Sequence, residues 1–187
     1  ILIDFENIAK DVISVSRKSN FKIKEICNFY NDVCNETIQE QLYLKKFNTG
    51  KLIDKKARKY LRYKNLDYEH GTGHGVGFFS NVHEGPQSIS KYNNIKIQEG
   101  MILSNEPGYY KKNQFGIRIE NLIYVKKKND KLFFENLTLA PIDKDLIEFD
   151  KLTKNEKNYL FNYNLLIYCK LYKFLNKDER KWLLSLF

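Results

Sequence analysis

The sequence predicts an α+β fold in which helices bracket a central β-rich segment, and three observations point that way. Between residues 23 and 42, Ile23, Ile26, Cys27, Tyr30, Cys34 and Ile38 recur at three- and four-residue steps, the signature of one apolar helix face. From residue 70 to 139 the chain changes to short apolar runs punctuated by Gly and Pro. From residue 140 onward, helical patterning returns with two capping signals.

Each element follows in order. Residues 1–18 hold two apolar runs, Ile1-Leu2-Ile3 before Asp4 and Val12-Ile13-Ser14-Val15 before Arg17, which read as two short strands around a turn near Asn7. After the helix of residues 23–42, a second helix follows Gly50, with Leu52, Ile53, Ala57, Tyr60 and Leu61 on its buried face. Strands are expected at residues 101–104, 116–125 and 132–137, with residues 126–131 as a charged turn. In the tail, Thr153 with Glu156 and Asn176 with Glu179 have the spacing of capping boxes, each opening a helix. Trp182, Leu183, Leu186 and Phe187 would form the buried stripe of the last one. The expected organisation is a domain of residues 1–139 and a helical extension of residues 140–187, without repeats or a low-complexity linker.

Composition bounds the function. A chain of 187 residues with 42% hydrophobic and 29% charged residues can bury a real core as one soluble domain with an extension. No run approaches ~18 uncharged apolar residues, so no membrane span is expected. Asp4 and Glu6 interrupt the apolar start at once, which argues against a secretory signal. The first residue is Ile, so the chain is expected to be a piece of a longer one. Cys27, Cys34 and Cys169 are odd in number and lack CxxC spacing. They read as buried thiols in a reducing cytoplasm. The net charge of +9 is spread among Asn, Ile and Tyr rather than gathered with aromatic residues, so no nucleic-acid partner is expected.

The chemistry concentrates in the β-rich segment. All three histidines, His70, His74 and His83, lie in HGTGHGVGFFSNVHEGP (residues 70–86). Imidazole is the commonest neutral metal ligand and titrates near neutrality, so three in one Gly-rich stretch suggest more than structure. Gly71, Gly73, Gly75 and Gly77 let a ligand approach the backbone closely. A phosphate loop is the rival reading, but no Lys-Ser/Thr pair follows. Further on, Glu106 precedes Pro107 and Gly108 in SNEPGYY (residues 104–110). Glu120 ends an alternating run, Ile117-Arg118-Ile119-Glu120, which puts Arg118 and Glu120 on one face of a strand. That face could be merely a solvated ion pair. Two carboxylates beside a histidine also form the oxygen-and-imidazole set that suits Mn²⁺, Co²⁺, Zn²⁺ or Fe²⁺.

HGTGHGVGFFSNVHEGP, GMILSNEPGYY, FGIRIEN and LTLAPI (residues 137–142) together resemble Xaa-Pro aminopeptidase, or aminopeptidase P, of the M24 metallopeptidases, in order and spacing from about Gly50 to the C-terminus. The resemblance implies the pita-bread fold: a curved antiparallel sheet with flanking helices, here with its N-terminal half truncated and a helical tail added. It implies two divalent ions, usually Mn²⁺, held by two aspartates, one histidine and two glutamates. His74 and Glu106 match ligands of one ion, and Glu120 the bridge between both. His70 and His83 match the outer histidines that hold substrate and assist proton movement, and Arg118 a residue that orients the carboxylates. Glu106 also matches the acceptor of the water's proton. ILID places Asp4 at the first aspartate. For the second, the echo SVSRK (residues 14–18) puts Ser14 at the ligand position, whereas a shorter hairpin puts Asp11 there.

The implied activity is hydrolysis of the bond between an N-terminal residue and a following proline, in the cytoplasm, on peptides with proline at the second position. A homodimer through the aromatic tail is implied as well. A non-catalytic pita-bread module that binds peptides or partner proteins is the second reading.

Overall fold

The computed structural model describes residues 49–79, 81–128 and 131–186. The strand pair expected over residues 1–18 and the helix expected over residues 23–42 lie outside them.

Two short helices open the described chain, α1 (Gly50–Ala57) and α2 (Lys59–Tyr63), joined at Arg58. Ile53, Ala57 and Leu61 step by four and are buried. Leu52, expected on that face, is 53% exposed, because Ile53 already fills the stripe and its neighbour lies a third of a turn away.

Seven antiparallel strands follow. β1 (Gly73–His74) pairs with β2 (Ser88–Ile89). β3 (Ile102–Asn105), β6 (Asn121–Lys128) and β7 (Lys131–Asn136) form a three-stranded sheet in the order β3-β6-β7. β4 (Gly108–Lys111) pairs with β5 (Phe115–Arg118). A bridge between Gly75 and Leu103 ties β1 to β3.

The single strand expected over residues 116–125 is two strands, split at Ile119 and Glu120. The partner chain breaks at the same level. β3 stops at Asn105, which pairs with Asn121, and β4 resumes at Gly108, which pairs with Arg118. Pro107 has no N–H to continue a ladder, and its carbonyl accepts only a 3.3 Å bond from Ile119 N. Glu106 and Glu120 therefore sit opposite each other where both strands leave the ladder. The expected charged turn also begins later, because Lys126, Lys127 and Lys128 extend β6. Lys126 faces Phe133 there and forms an ion pair with Glu135.

Two apolar clusters carry the sheet. Ile53, Ile89, Ile97, Leu103, Ile123, Val125 and Phe134 pack around β3-β6-β7. Ile117 and Ile119 pack with Leu61, Tyr109, Phe115 and the tail residues Ile142, Leu160, Tyr163, Ile167 and Leu183. The tail consists of short 3₁₀ turns, α3 (Lys154–Leu171) and α4 (Lys177–Leu184). Both capping boxes are formed, Thr153 with Glu156 and Asn176 with Glu179. On α4, Leu183 is buried and Trp182 is 60% exposed, so the stripe is narrower than expected. Cys169 is exposed rather than buried, since α3 turns Leu160, Tyr163 and Ile167 inward and Cys169 lies off that stripe. No helix of the described residues is long and apolar enough to cross a membrane.

Candidate metal centre

The site forms where the histidine-rich segment crosses the break in the sheet. β1 lies so close to β3 that a Cβ on Gly73 would stand 1.9 Å from the Ser104 carbonyl oxygen, so only glycine fits there. That contact delivers His74 onto the sheet, where its backbone N–H donates to Ser104 Oγ at 2.9 Å. The single hydroxyl proton of Ser104 is then free for Glu106 Oε1, also at 2.9 Å. His74 Nδ1 lies 3.0 Å from the Gly75 carbonyl, which can only accept. Nδ1 therefore carries a proton, and in the neutral ring this leaves the lone pair on Nε2, which lies 3.4 Å from Glu106 Oε1.

Ligand atoms of His74, Glu106 and Glu120 all lie within 4.8 Å of one another, and all three residues are half-buried. Arg118 and Glu120 share a face, as the alternation predicts, with Arg118 Nε 3.3 Å from Glu120 Oε2. Burial alone would lower the Arg118 guanidinium. The charge of Glu120, with Tyr110 and Glu106, outweighs it and holds the group above its ordinary value.

The outer histidines flank this group. The ring of His83 lies 4.0 Å from that of His74, centroid to centroid, and His83 is exposed. His70 Nδ1 lies 2.7 Å from the Gly71 carbonyl, so Nε2 is the acceptor and the Tyr110 hydroxyl donates to it at 2.9 Å. Partial burial raises the Tyr110 phenol. Arg118 pulls it down and Glu106 and Glu120 push it up, leaving it above its ordinary value. The fold thus brings together His70, His74, His83, Glu106, Arg118 and Glu120. Asp4, Asp11 and Ser14 lie outside the described residues. Sequence reasoning passed over Ser104 and Tyr110, although both share the parity of Glu106 in SNEPGYY and so share its face.

Residues 11–127 match the model of metallopeptidase family M24, and residues 130–185 match the C-terminal region of peptidase M24. The protein named "Probable Xaa-Pro aminopeptidase P" from Coprinopsis cinerea is 47% identical over 72% of this chain and 24% of its own length. Among solved structures, X-prolyl aminopeptidase from Caenorhabditis elegans, described as a cytosolic enzyme with a di-nuclear active site, is 32% identical. It superposes with a TM-score of 0.81 over 89% of this chain and 29% of that one. The prolidase from Pyrococcus horikoshii is 30% identical, with a TM-score of 0.55 over 64% of this chain and 33% of that one. The chain spans about a quarter of the length of the curated relatives it matches.

Proposed function

We propose a function that proceeds from one premise: the chain belongs to metallopeptidase family M24 and has its pita-bread fold. It is the carboxy-terminal part of an Xaa-Pro aminopeptidase, which hydrolyses the bond between an N-terminal residue and a following proline. The observation that carries this reading is the convergence of His74, Glu106 and Glu120 within 4.8 Å, with the His83 ring tilted against that of His74 at 4.0 Å between centroids. The 47% identity with a protein named probable Xaa-Pro aminopeptidase P supports the aminopeptidase reading. The division into a domain of residues 1–139 and an extension of residues 140–187, a cytoplasmic location and a homodimer through the tail belong to the same proposal.

The residues fit a metal. A neutral imidazole with its lone pair on Nε2 and two carboxylates form a donor set for Mn²⁺, with Co²⁺ and Zn²⁺ as alternatives. Two carboxylates balance one divalent ion, and a second ion calls for further negative charge. Asp4 and Asp11 would supply it. If Ser14 holds the second position instead, that charge is missing. Divalent ions held there supply Lewis-acid polarisation and lower the pKa of water to near neutrality.

The chain's own groups do the rest. Glu106, held by Ser104, accepts the proton of the attacking water. His83, exposed at the mouth, stabilises the developing oxyanion or hands a proton to the departing proline nitrogen. His70, fixed by Tyr110, holds the substrate, and Arg118 orients Glu120. The proline nitrogen of the scissile bond has no N–H, so selectivity rests on ring shape.

The test loads the purified chain with Mn²⁺, dialyses it, counts the ions, and follows peptides by mass spectrometry. The expected result is about two ions per chain, as a dinuclear site needs, and loss of the first residue from Xaa-Pro but not Xaa-Ala peptides. A chain that holds no metal and leaves Xaa-Pro peptides intact overturns the reading.

A further inference from the structure

We propose that Arg58, acting with Asp54 and Thr72, is a positioning residue that sets His70 and Glu106 in the site; this rests on the peptidase reading above. Arg58 stands at the junction of α1 and α2, and its side chain is 3% exposed. Its guanidinium reaches four acceptors. Nε donates to Asp54 Oδ2 at 2.9 Å, Nη1 to Asp67 Oδ1 and to the Tyr68 carbonyl at 2.6 Å each, and Nη2 to the His70 carbonyl at 2.6 Å. The guanidinium also lies over the Tyr68 ring, 3.8 Å from its centroid. Three of the four bonds thus grip residues 67–70, and one ends on the backbone of His70 itself.

A second arm runs from the other oxygen of Asp54. Asp54 Oδ1 accepts from Thr72 Oγ1 at 2.7 Å. That uses the only proton of Thr72, so the Tyr68 hydroxyl is the donor in its 2.5 Å bond to Thr72 Oγ1. The Thr72 carbonyl then accepts the backbone N–H of Glu106 at 2.7 Å. Asp54, Arg58 and Thr72 are 1%, 2% and 0% exposed, so water cannot replace a lost partner.

An ion pair that only stabilised the helix would close on Asp54, one turn away. This one closes on Asp54 and also reaches the His70 carbonyl directly and the Glu106 N–H through Thr72. Its loss therefore moves those residues rather than altering the charge they face. A lysine at position 58 keeps the charge but offers one point where the guanidinium offers a planar fork.

The test compares Arg58→Lys and Thr72→Val with the parent chain, the second variant keeping shape while removing the hydroxyl. Mn²⁺ affinity is read by calorimetry, and kcat and KM on an Xaa-Pro peptide are read well below each variant's Tm. The expected result is a roughly 10-fold or greater loss of Mn²⁺ affinity, the scale of outer partners of metal ligands, with a fall in kcat exceeding any change in KM. Variants with a lowered Tm but unchanged Mn²⁺ affinity, kcat and KM would overturn the proposal. If the parent chain neither binds Mn²⁺ nor cuts, the peptidase reading fails on its own. The positioning claim is then decided by the His70 imidazole resonance and the exchange rate of the Glu106 amide. Displacement of either signal in both variants sustains it, and unchanged signals overturn it.

Discussion

Replacing Gly73 by alanine tests how the site is assembled. The added Cβ would stand 1.9 Å from the Ser104 carbonyl oxygen and 2.9 Å from its carbon, and contacts under 3.0 Å are essentially never seen. The obstacle is backbone, so β1 and β3 must separate by the difference, 3.0 − 1.9 = 1.1 Å. The 2.9 Å bond from His74 N–H to Ser104 Oγ is then broken. Overpacking costs about 1–3 kcal/mol and the lost hydrogen bond about 1 kcal/mol, together about 2–4 kcal/mol. For a chain of this size that lowers Tm by roughly 5–15 °C. Ligand geometry tolerates only about 0.5 Å, so Mn²⁺ affinity should fall by about 100-fold. Calorimetry and thermal unfolding measure both. Gly71→Ala is the control, since its Cβ would meet nothing nearer than 3.4 Å, and its Tm should stay within about 2 °C. A Gly73→Ala chain with parental Tm and Mn²⁺ affinity would refute the claim that this contact sets His74.

His74→Ala and Glu120→Ala should each abolish Mn²⁺ binding, while His83→Ala keeps the metal and lowers kcat by about 10²–10⁴, the worth of a positioned acid or base; metal counts and turnover separate the two classes. Asp11→Ala should reduce the bound ions from two to one and Ser14→Ala should leave the count unchanged; the reverse pattern would place the ligand position at residue 14. Ile117, fully buried between β5 and the tail, should cost about 2–5 kcal/mol as Ile117→Ala, read by denaturant unfolding. Burial lifts the Tyr163 phenol well above its ordinary 10.0, against the pull of Asn121. Its folded pKa is the higher one, so its contribution is complete below about pH 10 and is lost as pH rises further, because the unfolded chain ionises first. Tyr163→Phe should flatten that alkaline decline in a Tm–pH profile.

The parts legible in the sequence were those in which a local pattern and a physical requirement coincide. The capping boxes at Thr153 and Asn176 are such cases, because three-residue spacing is all the motif needs. The shared face of Arg118 and Glu120 is another, since the pleat fixes it. What was missed depends on partners distant in sequence. An alternating run such as residues 116–125 looks like one strand, and only the matching break at Pro107 on the neighbouring strand shows why it is two. Asp54 and Arg58 did leave a trace: a charged pair four residues apart sits beside Ile53, Ala57 and Leu61, within the apolar stripe rather than opposite it. Their partners, three acceptors in residues 67–70 and the Thr72 hydroxyl, could not be read from spacing.

That break also explains why the tail and the site depend on each other. A carboxylate at the end of a ladder is held on one side by strand pairing and on the other only by what packs behind it. Behind Glu120 stand Ile117 and Ile119, 0% and 2% exposed, in one cluster with Ile142, Leu160, Tyr163 and Ile167 from beyond residue 139. On the other side Asn121 lies 3.3 Å from the Tyr163 hydroxyl, which is itself anchored at 2.9 Å on the Ala140 carbonyl. Asn136, on β7, reaches Tyr159 Oη at 3.0 Å from the same helix. Residues on both sides of Glu120 are thus packed or hydrogen-bonded by α3 and the segment leading to it. The position of Glu120 therefore rests on the segment beyond residue 139 as well as on the sheet.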